Sequence, residues 1–131
     1  HDFTMEKGDT HYPWTYLEDS GTELLGLKIW GSPWQKRFRD WAFNADEDFM
    51  RGRWALIPPD TDILLLHGPP YGCGDWVGVE NTGSLSLRDK IWEVQPRLVV
   101  CGHIHHGRGE YRIGDTRVIN TACKVTEVEI C

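Results

Sequence analysis

Two short, unbroken apolar runs stand out along the chain, and each ends at a histidine-bearing loop. Ile63 to Leu66 stops at His67-Gly68-Pro69-Pro70, and Leu98 to Cys101 runs into Gly102-His103-Ile104-His105-His106-Gly107. Four apolar residues in a row without alternation predict strands buried on both faces. Between them Leu87, Ile91 and Val94 recur at i, i+4 and i+7 after Ser84, a capping residue, and before Pro96. That spacing predicts a helix from a Ser84 cap to Gln95, and strand, helix, strand predicts a parallel βαβ unit. Upstream, residues 1 to 22 read as an irregular lead-in, and Glu23 to Trp30 reads as a strand ending at Gly31-Ser32-Pro33. From Asn44 to Leu56 a cap-type Asn precedes Asp46, Glu47 and Asp48, with Arg51 and Arg53 later. Acids first and bases last suit a helix dipole, and Pro58-Pro59 ends the helix. Glu110 to Ile113 and Thr116 to Asn120 flank Gly114-Asp115 as a hairpin, and Val125 to Ile130 reads as a last strand.

Composition narrows the class. The 131 residues include 14 Lys+Arg and 20 Asp+Glu, a formal net charge of −6, with 40% hydrophobic residues. One domain with a buried core is expected, not a disordered chain. The acidic balance argues against nucleic acid and against an anionic membrane surface, because both are bound through surface cations. The apolar runs are strand-length, far short of the ~20 residues of a membrane span. Cys73, Cys101, Cys123 and Cys131 are widely spaced and form no Cys-x-x-Cys pair; Cys101, after an apolar run, and Cys123, after Ala122, read as small buried hydrophobes, and a reducing, cytoplasmic setting is expected.

The histidines carry the chemistry. If both runs are parallel strands, His67 and the pair His103 and His105 emerge at one carboxyl edge, where open α/β sheets place ligand sites. Neutral imidazole is the commonest metal ligand, and the glycines beside these histidines permit tight loops. A lone histidine at a strand end is ordinarily a loop residue bonded to backbone. The coincidence of all three at the ends of two strands joined by one helix favours a metal site. His106 reads as solvent-exposed, and His11 has no evident partner.

The order of these motifs resembles the calcineurin-like metallophosphoesterases. His67-Gly68-Pro69-Pro70 follows a hydrophobic strand, Gly102-His103-Ile104-His105 comes later, and His1-Asp2 is similar to the end of the family's Gly-Asn-His-Asp/Glu motif. Gly31-Ser32-Pro33-Trp34-Gln35 and Gln95-Pro96-Arg97 further resemble the metallophosphoesterase domain-containing subgroup, associated with hydrolysis of cyclic nucleotide phosphodiesters. The resemblance implies an α/β fold, part of a four-layer α/β/β/α sandwich with a parallel βαβ unit and a C-terminal hairpin. It implies two divalent metal ions (Mn²⁺, Fe²⁺, Mg²⁺ or Zn²⁺), with His67 and His103 on one and His105 on the other. His1 takes the position that protonates the leaving group or stabilises developing charge, and Asp2 that of its orienting acid. Asn120 orients a ligand or the core loop. Trp34 and Tyr71 stack a nucleobase or belong to the core and rim, an even choice in a chain with seven Trp.

Against the family pattern, the upstream Asp-x-His and Gly-Asp motifs and the Asn before His1 are absent from these residues. Three neutral imidazoles are a poor cage for two neighbouring divalent ions, whose repulsion needs anionic oxygen ligands. Residues 1–131 are therefore expected to be one incomplete domain, inactive alone. It is completed by an N-terminal part that is a separate chain or a missing segment. The expected activity is metal-dependent hydrolysis of a small phosphodiester. The alternatives are a non-catalytic metal-binding or interaction module and a phosphoesterase with another substrate.

Overall fold

Strand pairing begins where the apolar runs predict it. The computed structural model describes residues 16–36, 44–78 and 80–122. His1, Asp2, His11, Cys123, Cys131 and the predicted strand at Val125 to Ile130 lie outside them. The elements are β1 (Ser20–Leu24), β2 (Leu27–Ser32), β3 (Gln35–Lys36), β4 (Asn44–Ala45), α1 (Glu47–Trp54), β5 (Ile63–Leu66), α2 (Leu85–Val94), β6 (Leu98–Cys101), β7 (Gly109–Ile113) and β8 (Thr116–Asn120). A six-stranded sheet has the order β1-β2-β5-β6-β8-β7. β2, β5, β6 and β8 are parallel, and antiparallel β1 and β7 form the edges. The βαβ unit, the Ser84-capped helix and the hairpin around Gly114-Asp115 are found where the sequence places them.

Two boundaries differ from expectation. The single strand expected over Glu23 to Trp30 is a hairpin, because Leu25 (φ 54°) and Gly26 (φ 79°) both turn left-handed between β1 and β2. Two consecutive positive φ values match the right-handed twist of a two-residue hairpin. Leu25 mimics a buried strand position in the pattern yet is 94% exposed at the tip. The first helix begins later than Asn44, because the Asp46 side chain accepts from the Phe49 amide at 2.8 Å and caps it.

The strand order advances steadily from β2 through β5 to β6, so right-handed crossovers deliver α1 and α2 to the same face of the sheet. Met50, Trp54, Leu87 and Ile91 from the helices pack there on Leu64, Leu66, Val99, Cys101 and Val118. Alternation sends Ile63, Leu65, Leu98, Val100 and Ile119 to the opposite face. Among the described residues that face holds a small buried cluster, Ile63, Leu98 and Ile119, flanked by half-buried Leu27 and Ile29, and Leu65 is 41% exposed.

The helices are joined by a carboxylate. Glu47, in the first turn of α1, accepts from the Leu85 amide (2.7 Å), Ser84 Oγ (2.9 Å) and Ser86 Oγ (2.8 Å). It thereby caps the α2 N-terminus, whose orphan amides and positive dipole end favour an anion. Glu47→Ala is expected to cost about 1–3 kcal/mol by leaving these donors unsatisfied, and Glu47→Gln less. Urea unfolding midpoints check both, and equal midpoints for wild type and Glu47→Ala would refute the cap.

Candidate metal centre

Parallel β5 and β6 pair Leu65 with Val100, and the ladder runs on as the Gly102 amide donates to the His67 carbonyl at 2.9 Å. Both segments thus leave the sheet side by side at its carboxyl edge. His103 then turns the chain with φ 71°. A left-handed non-glycine residue stores on the order of 1 kcal/mol, a cost usually met where a side chain must be aimed. Here the turn brings His103 Nδ1 to 3.2 Å from His67 Nε2, with ring centroids 4.9 Å apart.

The electrostatics keep both rings neutral. Burial, then the neighbouring His103, pushes His67 down to about 4, and burial followed by His105 lowers His103. Neutral imidazole is the form that binds metal at ordinary pH. The same shift makes the metal-free protein acid-sensitive. Because the folded value lies below that of the unfolded chain, the unfolded state takes up the proton first. The contribution is complete above pH 6.5, falls as pH drops toward 4 and levels off below. The loss is expected to be on the order of 3 kcal/mol. His67→Gln is expected to flatten this segment of the stability profile, and a profile unchanged by the substitution would count against the assignment.

The loop carrying these rings is clamped from below. Asn120, 1% exposed at the end of β8, donates through Nδ2 to the carbonyls of Gly74 (3.3 Å) and Ile104 (3.4 Å) and accepts from the Ala122 amide. Of the two roles considered for it, its contacts are those of a residue that fixes the loops. Gly74 and Gly107 lie so close that a Cβ on Gly107 would stand 1.7 Å from the Gly74 carbonyl oxygen. Tyr111 Oη adds a bond to the Gly107 carbonyl at 3.0 Å.

Other candidates are placed as follows. His105 and His106 lie in a short 3-10 turn, His105–Gly107, with both histidines exposed. Among the described residues no group of three or more His, Cys, Asp or Glu is arranged to hold a metal ion, so His105 is not gathered with His67 and His103. Trp34 Nε1 donates to Asp19 at 2.7 Å, and its ring meets Phe49 edge-on at 4.8 Å. Trp34 also lines a cavity of about 570 Å³ that His103 and Gly68 border, whereas Tyr71 is held through its backbone by Ser84 and Arg88. Cys73 and Cys101 are buried, and burial raises both thiols, Cys101 to about 12. Cys101 is the small buried hydrophobe expected of it.

A profile of the family described as "Calcineurin-like phosphoesterase" matches residues 3–107. The chain belongs to this family. Human metallophosphoesterase domain-containing protein 1 is 42% identical to this chain over 111 residues, which are 82% of this chain and 34% of that protein. A UPF0046 protein of Caenorhabditis elegans is 41% identical over 108 residues, 80% of this chain and 27% of that protein. The chain thus spans between about a quarter and a third of the length of these curated relatives. The solved structure of TT1561 from Thermus thermophilus shares the fold with a TM-score of 0.53 and 20% identity, over 81% of this chain and 48% of that one. Another solved chain gives a TM-score of 0.66 at 18% identity over 92% of this chain and 51% of its own length.

Calcineurin-like phosphoesterases use divalent metal ions, and the imidazole pair fits part of such a site. Two nitrogens bound to one tetrahedral ion at ordinary bond lengths stand about 3.3 Å apart. His67 Nε2 and His103 Nδ1 are 3.2 Å apart, within hydrogen-bond distance of each other and close to the spacing of two ligands of one ion. Asp19 and Glu47 were not legible as structural residues. Asp19 receives bonds from Ser32 and Trp34 and an ion pair from Arg53, contacts distant in sequence that no local pattern announces.

Proposed function

We propose that this chain supplies His67 and His103 to one divalent ion, and His105 to a second, in a centre that hydrolyses a small phosphodiester, a cyclic nucleotide being the favoured substrate. The observation that carries the reading is the pair of neutral imidazoles 3.2 Å apart at the ends of adjacent parallel strands. Divalent ions there would supply the positive charge that an acidic chain lacks, and would acidify a bound water. His67 and His103 hold an ion, His1 moves a proton to the leaving oxygen, Asp2 orients His1, and the Asn120 clamp fixes the loop that presents His103.

Two facts support a centre completed from outside residues 1–131, which then form part of one domain. No described carboxylate joins the histidines, and the chain matches about a third of its relatives. We assign the completing residues to an N-terminal part of the same domain, as a separate chain or a missing segment; on the sheet face opposite the helices Ile63, Leu98 and Ile119 are buried, and Leu65 is 41% exposed. No described helix is long and apolar enough to cross a membrane.

The test compares bound metal and turnover of cyclic nucleotides and bis(4-nitrophenyl) phosphate for residues 1–131 alone and joined to an upstream segment of a relative. Two ions per chain and Mn²⁺-dependent turnover in the joined form support the reading. One ion or fewer and no turnover in the joined form would favour a non-catalytic metal-binding module.

A further inference from the structure

The loop that follows β6 is held in two halves by different bonds. On the His103 side, the Gly102 amide donates to the His67 carbonyl and the Ile104 amide to the Gly102 carbonyl, each at 2.9 Å. His103 is thus bracketed by bonds that lie upstream of the 3-10 turn. His105 opens that turn, and the direction of its exposed ring depends on the turn's backbone. Two bonds close the turn. The Gly107 amide donates to the Ile104 carbonyl at 3.0 Å, and Tyr111 Oη donates to the Gly107 carbonyl at 3.0 Å. Gly107 also rests against Gly74, so its amide, its carbonyl and its α-carbon each meet a different neighbour. Tyr111 is suited to this place. It lies in β7, paired with Val118 of β8, and its half-buried ring packs on the main core. A side chain borne on a strand and locked by packing holds its polar end more precisely than a loop residue does. A tyrosine hydroxyl carried into partly buried surroundings takes a partner, and the carbonyl taken here belongs to the residue two positions beyond His105.

We infer that Tyr111 is a positioning residue for His105, and through it for the second of the two ions, while the His67–His103 pair keeps its geometry without the hydroxyl. The ion end of the inference rests on the proposed centre of two ions, whereas the strut from β7 to the turn rests on the hydrogen bonds. Without the hydroxyl the Gly107 carbonyl loses its donor and the turn opens from its C-terminal end, where His105 lies. The bonds at Gly102 and Ile104 remain, so the effect stops short of His103.

Tyr111→Phe keeps the ring and removes only the hydroxyl. In the complete enzyme, calorimetric titration with Mn²⁺ is expected to show the second ion bound about tenfold or more weakly, the scale of loss on removing an outer partner of a ligand, with the first ion unchanged. Manganese paramagnetic resonance is expected to follow, the coupled-pair signal of the wild type giving way to that of isolated ions. In a His105→Ala background the same substitution is expected to weaken the second ion no further. In the metal-free complete enzyme, hydrogen exchange at the Gly107 amide is expected to speed about fivefold or more, the effect of one hydrogen bond on local opening, with the Gly102 amide unchanged. Circular dichroism and the thermal midpoint establish that each variant is folded. Second-ion affinity equal to wild type in a folded Tyr111→Phe protein would overturn the assignment. So would an equal loss of both ions, or a further loss in the His105→Ala background, which are the results of a merely structural role. A wild-type enzyme that binds one ion, while Gly107 and not Gly102 loses protection in Tyr111→Phe, would keep the strut and sink the reading of two ions instead.

Discussion

Replacing His67 or His103 with alanine is expected to lower divalent metal affinity by more than about 100-fold, beyond the roughly 10- to 100-fold typical when only an outer partner of a ligand is removed. Hydrolysis in the completed enzyme falls with it. The reason is geometric: the two nitrogens at 3.2 Å are already spaced for one ion, and each ring is held neutral by burial. Removing either leaves a single imidazole at the sheet edge. His105→Ala is expected to behave differently. Its ring is exposed on the 3-10 turn and stands outside the pair, so it costs the second ion before the first. Titration with Mn²⁺ followed by calorimetry distinguishes the cases. Equal affinities in wild type and His103→Ala would remove the basis for a metal centre here.

Gly107→Ala is expected to disrupt the same centre without touching a histidine. Its new Cβ would lie 1.7 Å from the Gly74 carbonyl oxygen, and the obstacle is backbone, which cannot swing aside like a side chain. The two loops must separate, breaking the Asn120 bonds to Gly74 and Ile104 that hold the His103 turn. A stability loss of about 1–3 kcal/mol is expected from the overpacking, with a further loss of metal affinity of roughly 10- to 100-fold from the displaced loop. Gly52→Ala is the matched comparison. It sits in α1 with nothing within 4 Å of the added Cβ, so it is expected to gain about 0.5–1 kcal/mol. Thermal midpoints moving in opposite directions would confirm the contrast, and a Gly107→Ala protein as stable and metal-avid as wild type would refute the clamp.

Much of the fold was written locally. Ile63 to Leu66 and Leu98 to Cys101 form the expected strands, although Leu65 is 41% exposed and burial on both faces is incomplete, Ser84 and Pro96 punctuate the helix between them, and Gly114-Asp115 names its own turn. The hairpin at Leu25-Gly26 escaped because Leu25 continues an apolar alternation while standing in solvent. The cap of α1 moved from Asn44 to Asp46 because two nearby capping residues compete, and only the fold settles which one turns into the helix.

For the centre, the sequence alone determined which residues are candidates and which edge they share. Strand order and parallel pairing follow from runs, caps and crossover handedness, and these bring His67 and His103 together. Only the tertiary structure decided their relation. The left-handed turn at His103, the contact of Gly74 with Gly107 and the Asn120 bridge arise between segments dozens of residues apart, and no local pattern encodes them. The same holds for Glu47 at the α2 N-terminus and for the cavity behind the histidines. Each is a product of packing, in which a side chain's partner is chosen by where another element comes to rest.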